Sequence, residues 1–398
     1  MRRLADLVAG VLLIVLVGGC AGPAKRHPVP AELVDQARIP GFPDARYVGQ
    51  QGVVGPGFER RIHELVEQSK TGGALDQPAR LLAISGGGAN GAFGAGLLVG
   101  WTAAGDRPDF QYVTGISTGA LTAPFAFLGP DYDDELKEAY TTYSTKQLVE
   151  KRPPLRALLS GDSLFRTRGL EKMIARYFDD DAIDVMAREH QKGRRLWIGT
   201  TNLDAMQPVY WNIGAIAQSD HPGRYDLVRK ILLASASIPV AFPPVTFDVE
   251  AGGQAYDELH VDGGMVSQVF AYPLPFEMRR ELSERGIRLK DPRLYIIRNA
   301  KVTPAYRPVD LRVLPIARQS VESLIRTQGI GDLYELYVGT QRDHVGYYLT
   351  HIPSDFDVKE HEAFDPAYMA ALFDRGYEMA KAGYPWDREP PDLNEDDP

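Results

Sequence analysis

The chain has 398 residues, 44% of them hydrophobic, enough for one large core or two ordinary ones. A mean hydropathy of −0.24 argues against a protein with many membrane spans. With 44 basic and 53 acidic residues the formal net charge is −9, so nucleic acid is not an expected partner.

Arg2 and Arg3 precede an apolar stretch of eleven residues, Leu7 to Val17. That is short of the ~20 residues a spanning helix needs and fits the apolar part of an export signal. Val17-Gly18-Gly19-Cys20 resembles the lipobox of bacterial lipoproteins, whose cysteine is lipidated and becomes the first mature residue. The fit is incomplete, because leucine stands at Leu16 and Val17 takes its usual place. Residues 1–19 are therefore expected to be a signal peptide and Cys20 a lipid anchor in a bacterial envelope. Ala21 after the cysteine favours the outer membrane or its periplasmic face over the inner membrane. An ordinary secretory signal beside an incidental cysteine is the alternative. Cys20 is the only cysteine, so an internal disulfide is excluded.

Residues 20–78 read as a tether with a helix near its end. The first part is rich in proline, and Phe58 to Lys70 places Ile62, Leu65 and Val66 on one helical face. A buried strand follows at Arg80 to Ser85, then the glycine loop Gly86 to Gly91 and a small-residue helix to Trp101. Tyr112 to Thr114 is a strand, Gly115 to Gly119 a turn, and Ala120 to Leu128 a helix. Leu196 to Thr201 and Val209 to Asn212 read as strands, and Tyr225 to Ala236 as a helix. Leu294 to Ile297 is a strand, Leu314 to Gln341 a helix with a break near Gly329-Ile330-Gly331, and Tyr347 to Ile352 another strand. Pro366 to Ala382 is helical, and the acidic, proline-rich end at 387–398 is expected to be disordered. This alternation predicts an α/β fold, a three-layer α/β/α sandwich on a largely parallel sheet.

Gly115-Ile116-Ser117-Thr118-Gly119 lies between a strand and a helix, the context of a nucleophile elbow. Alone, the same pentapeptide reads more readily as a plain glycine turn. The Gly86 to Gly91 run also leaves a strand and opens a helix, so its N–H groups favour negative charge. It matches the dinucleotide pattern G-x-G-x-x-G, but Gly115-Ile116-Ser117 stands where that reading needs an acidic residue. A P-loop fails too, since Ala92 and Phe93 hold the places of Lys and Ser/Thr. An oxyanion site is the reading that survives. His260-Val261-Asp262-Gly263-Gly264 sets an aspartate at a strand end before a glycine turn, where it faces a site or merely starts the turn.

Together these motifs, with Ala234-Ser235 and Pro239 to Pro244, resemble the patatin-like phospholipases over roughly 79–277. The resemblance implies a patatin-like catalytic domain there and a C-terminal extension at 278–386 packed on the core. It implies a lipid acyl hydrolase in which Ser117 is the nucleophile and Asp262 its partner. The oxyanion hole is expected at Gly86, Gly87 and Gly88, with Gly87 and Gly88 as donors. Gly91, Gly115, Gly119, Gly263 and Gly264 complete the motifs. The implied partner is a membrane lipid or another acyl ester, with no metal and no organic cofactor. Oligomeric state is left open. Asn90 departs from the family pattern, which often has Arg or Lys there.

Other residues leave alternatives. His344, His351 and His361 follow Asp262, so a Ser-His-Asp esterase of α/β-hydrolase type is possible, as is a non-catalytic lipid- or partner-binding lipoprotein. Asp204 reads as structural. Asp131, Asp133, Asp134 and Glu135 read as a solvated helix start. Phe125, Phe127, Leu155, Leu158, Leu159 and Leu164 either line an acyl pocket or pack a core.

Overall fold

The structure is a computed structural model that describes residues 26–49, 78–151, 163, 165–272, 277–304, 306 and 308–393. The expected signal segment, Cys20, the helix over 58–70 and the last residues of the tail lie outside the described residues.

The strands are β1 (Arg46–Val48), β2 (Pro78–Ile84), β3 (Tyr112–Ile116), β4 (Glu150–Lys151), β5 (Phe165–Arg166), β6 (Arg195–Asn202), β7 (Gln207–Asn212), β8 (Val245–Ala251), β9 (Gln254–Asp262), β10 (Lys290–Arg298) and β11 (Gly346–His351). The principal helices are α1 (Gly91–Ala104), α2 (Thr118–Leu128), α3 (Asp133–Thr141), α4 (Arg168–Tyr177), α5 (Asp180–Gln191), α6 (Arg224–Ser235), α7 (Val313–Asp343) and α8 (Pro366–Lys381).

The main sheet runs in the order β1-β7-β6-β3-β2-β10-β11. Strands β6, β3, β2, β10 and β11 are mutually parallel, while β7 and β1 close one edge antiparallel. β8 and β9 form an antiparallel hairpin, and the end of β9 joins β6.

Period-two alternation assigns the two faces. Leu82 and Ile84 of β2, with Tyr295 and Ile297 of β10, pack into the larger core, which holds α1, α2 and α8. Leu81 and Ala83, with Leu294 and Ile296, face the other way and meet Leu333 and Leu336 of α7. The fold is thus α/β, a mostly parallel sheet with helices on both sides.

Helix α1 is apolar all round because α8 crosses its outer side. A Cβ at Gly96 would stand 2.0 Å from the Phe373 carbonyl oxygen, so only glycine permits this approach. The expected break in α7 is absent: the helix is continuous through Gly329-Ile330-Gly331. Gly329 serves packing instead, since a Cβ there would lie 2.5 Å from the buried Arg298 guanidinium.

Two strands of the main sheet, β10 and β11, come from the C-terminal part of the chain and lie beside β2. At the other edge the N-terminal segment adds β1, and Arg38 and Glu250 exchange backbone hydrogen bonds of 2.9 Å.

Candidate active site

Sheet register brings the site together. Along one edge of β6, Gly199 pairs with Ile116 at the end of β3. The next residue, Thr200, pairs with Asp262 at the end of β9. β7 occupies the other edge of β6, so β9 takes over where β3 stops. Ser117, one residue past Ile116, and Asp262 therefore meet at this junction. No loop has to find the other; the hydrogen-bond ladder aligns both.

Ser117 sits at φ 57° and ψ −126°, between β3 and α2. That left-handed conformation is costly for a residue with a side chain, and it lifts the hydroxyl out at the helix N-terminus. The surroundings fix it: Ser117 N–H donates to Ser235 Oγ at 3.0 Å, and Ser235 Oγ donates to the Gly199 carbonyl at 2.6 Å. Gly115 and Gly119 let β3 and α2 fold back closely, a Cβ at Gly115 standing 2.2 Å from the Gly119 carbonyl oxygen. Gly91 makes room for Thr118, whose Oγ1 would be 2.0 Å from a Cβ there.

Asp262 is buried, 4% exposed. Its Oδ1 accepts the Gly264 N–H at 2.7 Å, and its Oδ2 is buried with no hydrogen-bond partner among the described residues. Burial pushes this carboxyl up to about 6, opposed by the Ser117 hydroxyl and the Gly264 N–H. The serine is near enough to stabilise the carboxylate, yet no direct hydrogen bond of ordinary geometry closes between them. Gly263 permits the turn, for a Cβ there would lie 2.6 Å from the Gly199 carbonyl oxygen.

The glycine loop lies against the serine: a Cβ at Gly86 would be 3.1 Å from Ser117 Cβ. Gly86 is corrected as an oxyanion candidate, because its N–H donates to the Gln268 carbonyl at 3.0 Å. The Gly87 and Gly88 N–H groups have no acceptor among the described residues, and both glycines have positive φ, 159° and 59°. Those two amides are the ones available to a developing oxyanion.

Sequence reading missed the residues that hold these loops. Asn299, fully buried after β10, donates Nδ2–H to the Ser85 carbonyl at 2.9 Å and accepts the Gly94 N–H at 3.0 Å. Asp332 of α7 accepts the Gln268 N–H at 2.5 Å and the Val269 N–H at 3.3 Å. Burial pushes Asp332 up to about 6, opposed by these backbone hydrogen bonds. The motif Ala234-Ser235 was visible, but nothing in the pattern named Ser235 as the acceptor behind Ser117.

From Ser117 an apolar pocket runs inward between Leu121, Phe125, Tyr140, Leu170, Met173 and Phe242. Phe125 lines it, whereas Phe127 is a core residue under the Arg194 guanidinium, 4.6 Å from its ring centre. Leu155, Leu158, Leu159 and Leu164 lie outside the described residues. Tyr140 marks the wall: its hydroxyl donates to the Thr118 carbonyl at 2.7 Å and lies 2.8 Å from both Thr118 Oγ1 and Thr122 Oγ1. Asn90 accepts the Tyr368 hydroxyl at 2.6 Å, tying the glycine loop to α8.

None of the three histidines is brought to this junction. His344 caps the end of α7, at the opposite edge of the sheet from Ser117. His351 ends β11, three strands or about 14 Å from β3, and pairs with Asp387 at 3.4 Å. His361 is exposed and bonds Asp365 at 3.1 Å. His260 is buried close by, but its ring meets Thr200 at 2.9 Å and Glu258 at 3.1 Å. Burial lowers its pKa below the usual imidazole value, opposed by the hydrogen bond to Glu258.

Asp204 is structural: it receives two hydrogen bonds from Arg26, at 2.6 and 2.8 Å, and one from the Leu259 N–H. The acidic patch is corrected at one member. Asp133 pairs with the buried Arg107 at 2.7 Å, while Asp131, Asp134 and Glu135 are exposed.

The family model for Patatin-like phospholipase matches residues 82–275. No curated protein matches the chain. Among solved structures, the crystal structure of VipD from Legionella pneumophila is similar at 12% identity and a TM-score of 0.39. That likeness covers 77% of this chain and 66% of that one. The matched segment begins in β2, contains the glycine loop, Ser117 and Asp262, and ends before β10, so it is over residues 82–275 that the chain is similar to the patatin-like phospholipases.

Proposed function

We propose that the protein hydrolyses carboxylic esters of lipids, with Ser117 as nucleophile and Asp262 as general base. The observation that supports this reading is the β3-to-β9 exchange along β6, which brings Asp262 beside Ser117, itself on the lining of an apolar pocket. Ser117 Oγ attacks the ester carbonyl as its proton passes to Asp262, and the carbonyl oxygen becomes an oxyanion facing the Gly87 and Gly88 amides. The intermediate collapses, Asp262 returns the proton to the departing alkoxide, and an acyl-serine remains. A water molecule then loses its proton to Asp262 and releases the acid, regenerating the serine.

A carboxylate at the ordinary value near 3.9 is a weak base towards a hydroxyl. Burial that lifts Asp262 to about 6 narrows the mismatch. The pocket wall offers carbon to carbon, as an acyl chain requires. The lipobox resemblance supports attachment through Cys20 to the bacterial envelope, with the outer membrane favoured by Ala21.

A fluorophosphonate probe and a panel of phospholipid and neutral ester substrates test the reading. Wild type should label at Ser117 and turn over at least one acyl ester, and Ser117→Ala should do neither. Full labelling of folded Ser117→Ala would refute the assignment.

A further inference from the structure

Helix α7 is longer than the sheet it covers. Its 31 residues extend about 46 Å, whereas the 6 residues of β11 extend about 20 Å. It joins two parallel neighbours, β10 and β11, so it runs antiparallel to both. Gly329 lies beside Arg298, the last residue of β10, and Asp332 holds the loop that follows Asp262. These contacts place residues 329–332 level with the carboxyl edge of the sheet, where the site opens. The 13 residues Val313 to Ile325 therefore project beyond that edge by about 20 Å.

Its described stretch from Ser320 to Ile325 is exposed except at Glu322, which is half-buried. Val321, Leu324 and Ile325, at spacings that form one stripe, are 49%, 70% and 36% exposed. Leu311, just before the helix, is 97% exposed. Three exposed apolar residues, Ile238, Val240 and Met265, flank the strand ends carrying Ser117 and Asp262. The charge here is reversed relative to the chain. By sequence, residues 301 to 326 hold Lys301, Arg307, Arg312, Arg318 and Arg326 against Asp310 and Glu322, a net of 5 − 2 = +3 in a chain of −9, with Lys301 also 3.8 Å from Asp357.

We propose that this half of α7, with the loop before it, docks on an anionic lipid bilayer. An apolar stripe with basic residues around it suits the boundary between acyl chains and acidic headgroups. A second copy of the chain would bring one +3 segment against another, which the charge opposes. Docking here sets the carboxyl edge of the sheet, and with it the Ser117 pocket, towards the membrane surface. The functional part of this inference rests on the reading of the site as a lipid acyl hydrolase.

The test places an indole in the stripe by Leu324→Trp, in the full chain and on a Ser117→Ala background so that vesicles stay intact. Tryptophan emission is compared with that of Ser117→Ala alone, on phosphatidylglycerol vesicles with brominated acyl chains and on brominated phosphatidylcholine vesicles. The expected result is quenching of the added indole on the anionic vesicles and much less on the zwitterionic ones. Adding Arg312→Ser should weaken anionic-vesicle binding through this face about fivefold. An unquenched indole on a chain that still sediments with vesicles overturns the proposal, since attachment then lies elsewhere. Equal quenching on both lipids overturns its electrostatic basis. Self-association lost on Leu324→Ser, without quenching, assigns the face to a second copy instead. Turnover of a water-soluble short-chain ester by wild type reports on the catalytic reading separately, without vesicles.

Discussion

The backbone N–H of Ser117 donates to the hydroxyl of Ser235 across 118 residues of sequence, at 3.0 Å. Ser235 passes the bond on to Gly199, the β6 residue that pairs with Ile116. The strained serine is thus tied to the strand that aligns it with Asp262. Ser235→Ala removes the acceptor and leaves a buried N–H and a buried carbonyl unpaired. We expect a loss of about 1–3 kcal/mol of stability, measured by denaturant unfolding. Turnover should fall while affinity for substrate holds, because the pocket wall is untouched.

Asp262 should set the acid limb of the pH–rate profile. Its carboxyl is raised to about 6 by burial, and only the ionised form accepts a proton from Ser117. Activity should climb as pH rises through about 6 and then level off. Asp262→Asn should lower kcat roughly 10²- to 10⁴-fold at every pH, with the fold retained by circular dichroism.

The same group predicts a gain in stability on mutation. A carboxyl whose folded pKa exceeds its unfolded value, about 6 against 3.8, contributes stability that is fully present below 3.8 and lost as pH rises through about 6. Asp262→Asn removes that loss. The variant's unfolding free energy should exceed that of wild type by a margin that grows from about pH 4 to about pH 6.5 and then levels off, reaching on the order of 3 kcal/mol. A margin that shrinks over that range would contradict the buried-carboxylate assignment.

Arg46 of β1 forms an ion pair with Glu258 of β9, both side chains 2% exposed. Burial raises Glu258, but hydrogen bonds from His260 and Arg46, with Arg46's charge, outweigh it and bring the carboxyl down to about 2. Arg46→Ala strands that carboxylate inside, at a cost of about 3–5 kcal/mol. Thermal unfolding should show it, and restoring the charge with Arg46→Lys should recover part of the loss.

Asn299 makes a sharper test of the oxyanion loop. Asn299→Ala removes the clamp on Ser85 and Gly94, which flank Gly87 and Gly88. Fluorophosphonate labelling should slow by at least about tenfold, with a cost of about 1–3 kcal/mol in stability.

The central elements were legible because their signals are local. Buried strands such as Arg80 to Ser85 are apolar runs, and Gly115 to Gly119 is a turn whose context names it. Boundaries moved by a few residues where hydrogen bonding outlasts the apolar run, as in β10, which starts at Lys290. The break expected in α7 failed because glycine's helix penalty of about 1 kcal/mol is outweighed by room for Arg298. Gly86 misled because a pattern of glycines does not say which amide already has an acceptor. Ser235, Asn299 and Asp332 were invisible for a related reason: a polar side chain that serves a distant loop leaves no periodic trace.

Asn299 and Asp332 also fix the order in which function can appear during synthesis. A growing chain that has reached Arg298 contains Ser117, Asp262 and the Gly87 and Gly88 amides, the groups proposed to carry the chemistry. It still lacks the amide side chain that grips the glycine loop and the carboxylate that grips the loop after Asp262. On the proposed reading, full activity therefore waits for the last quarter of the polypeptide.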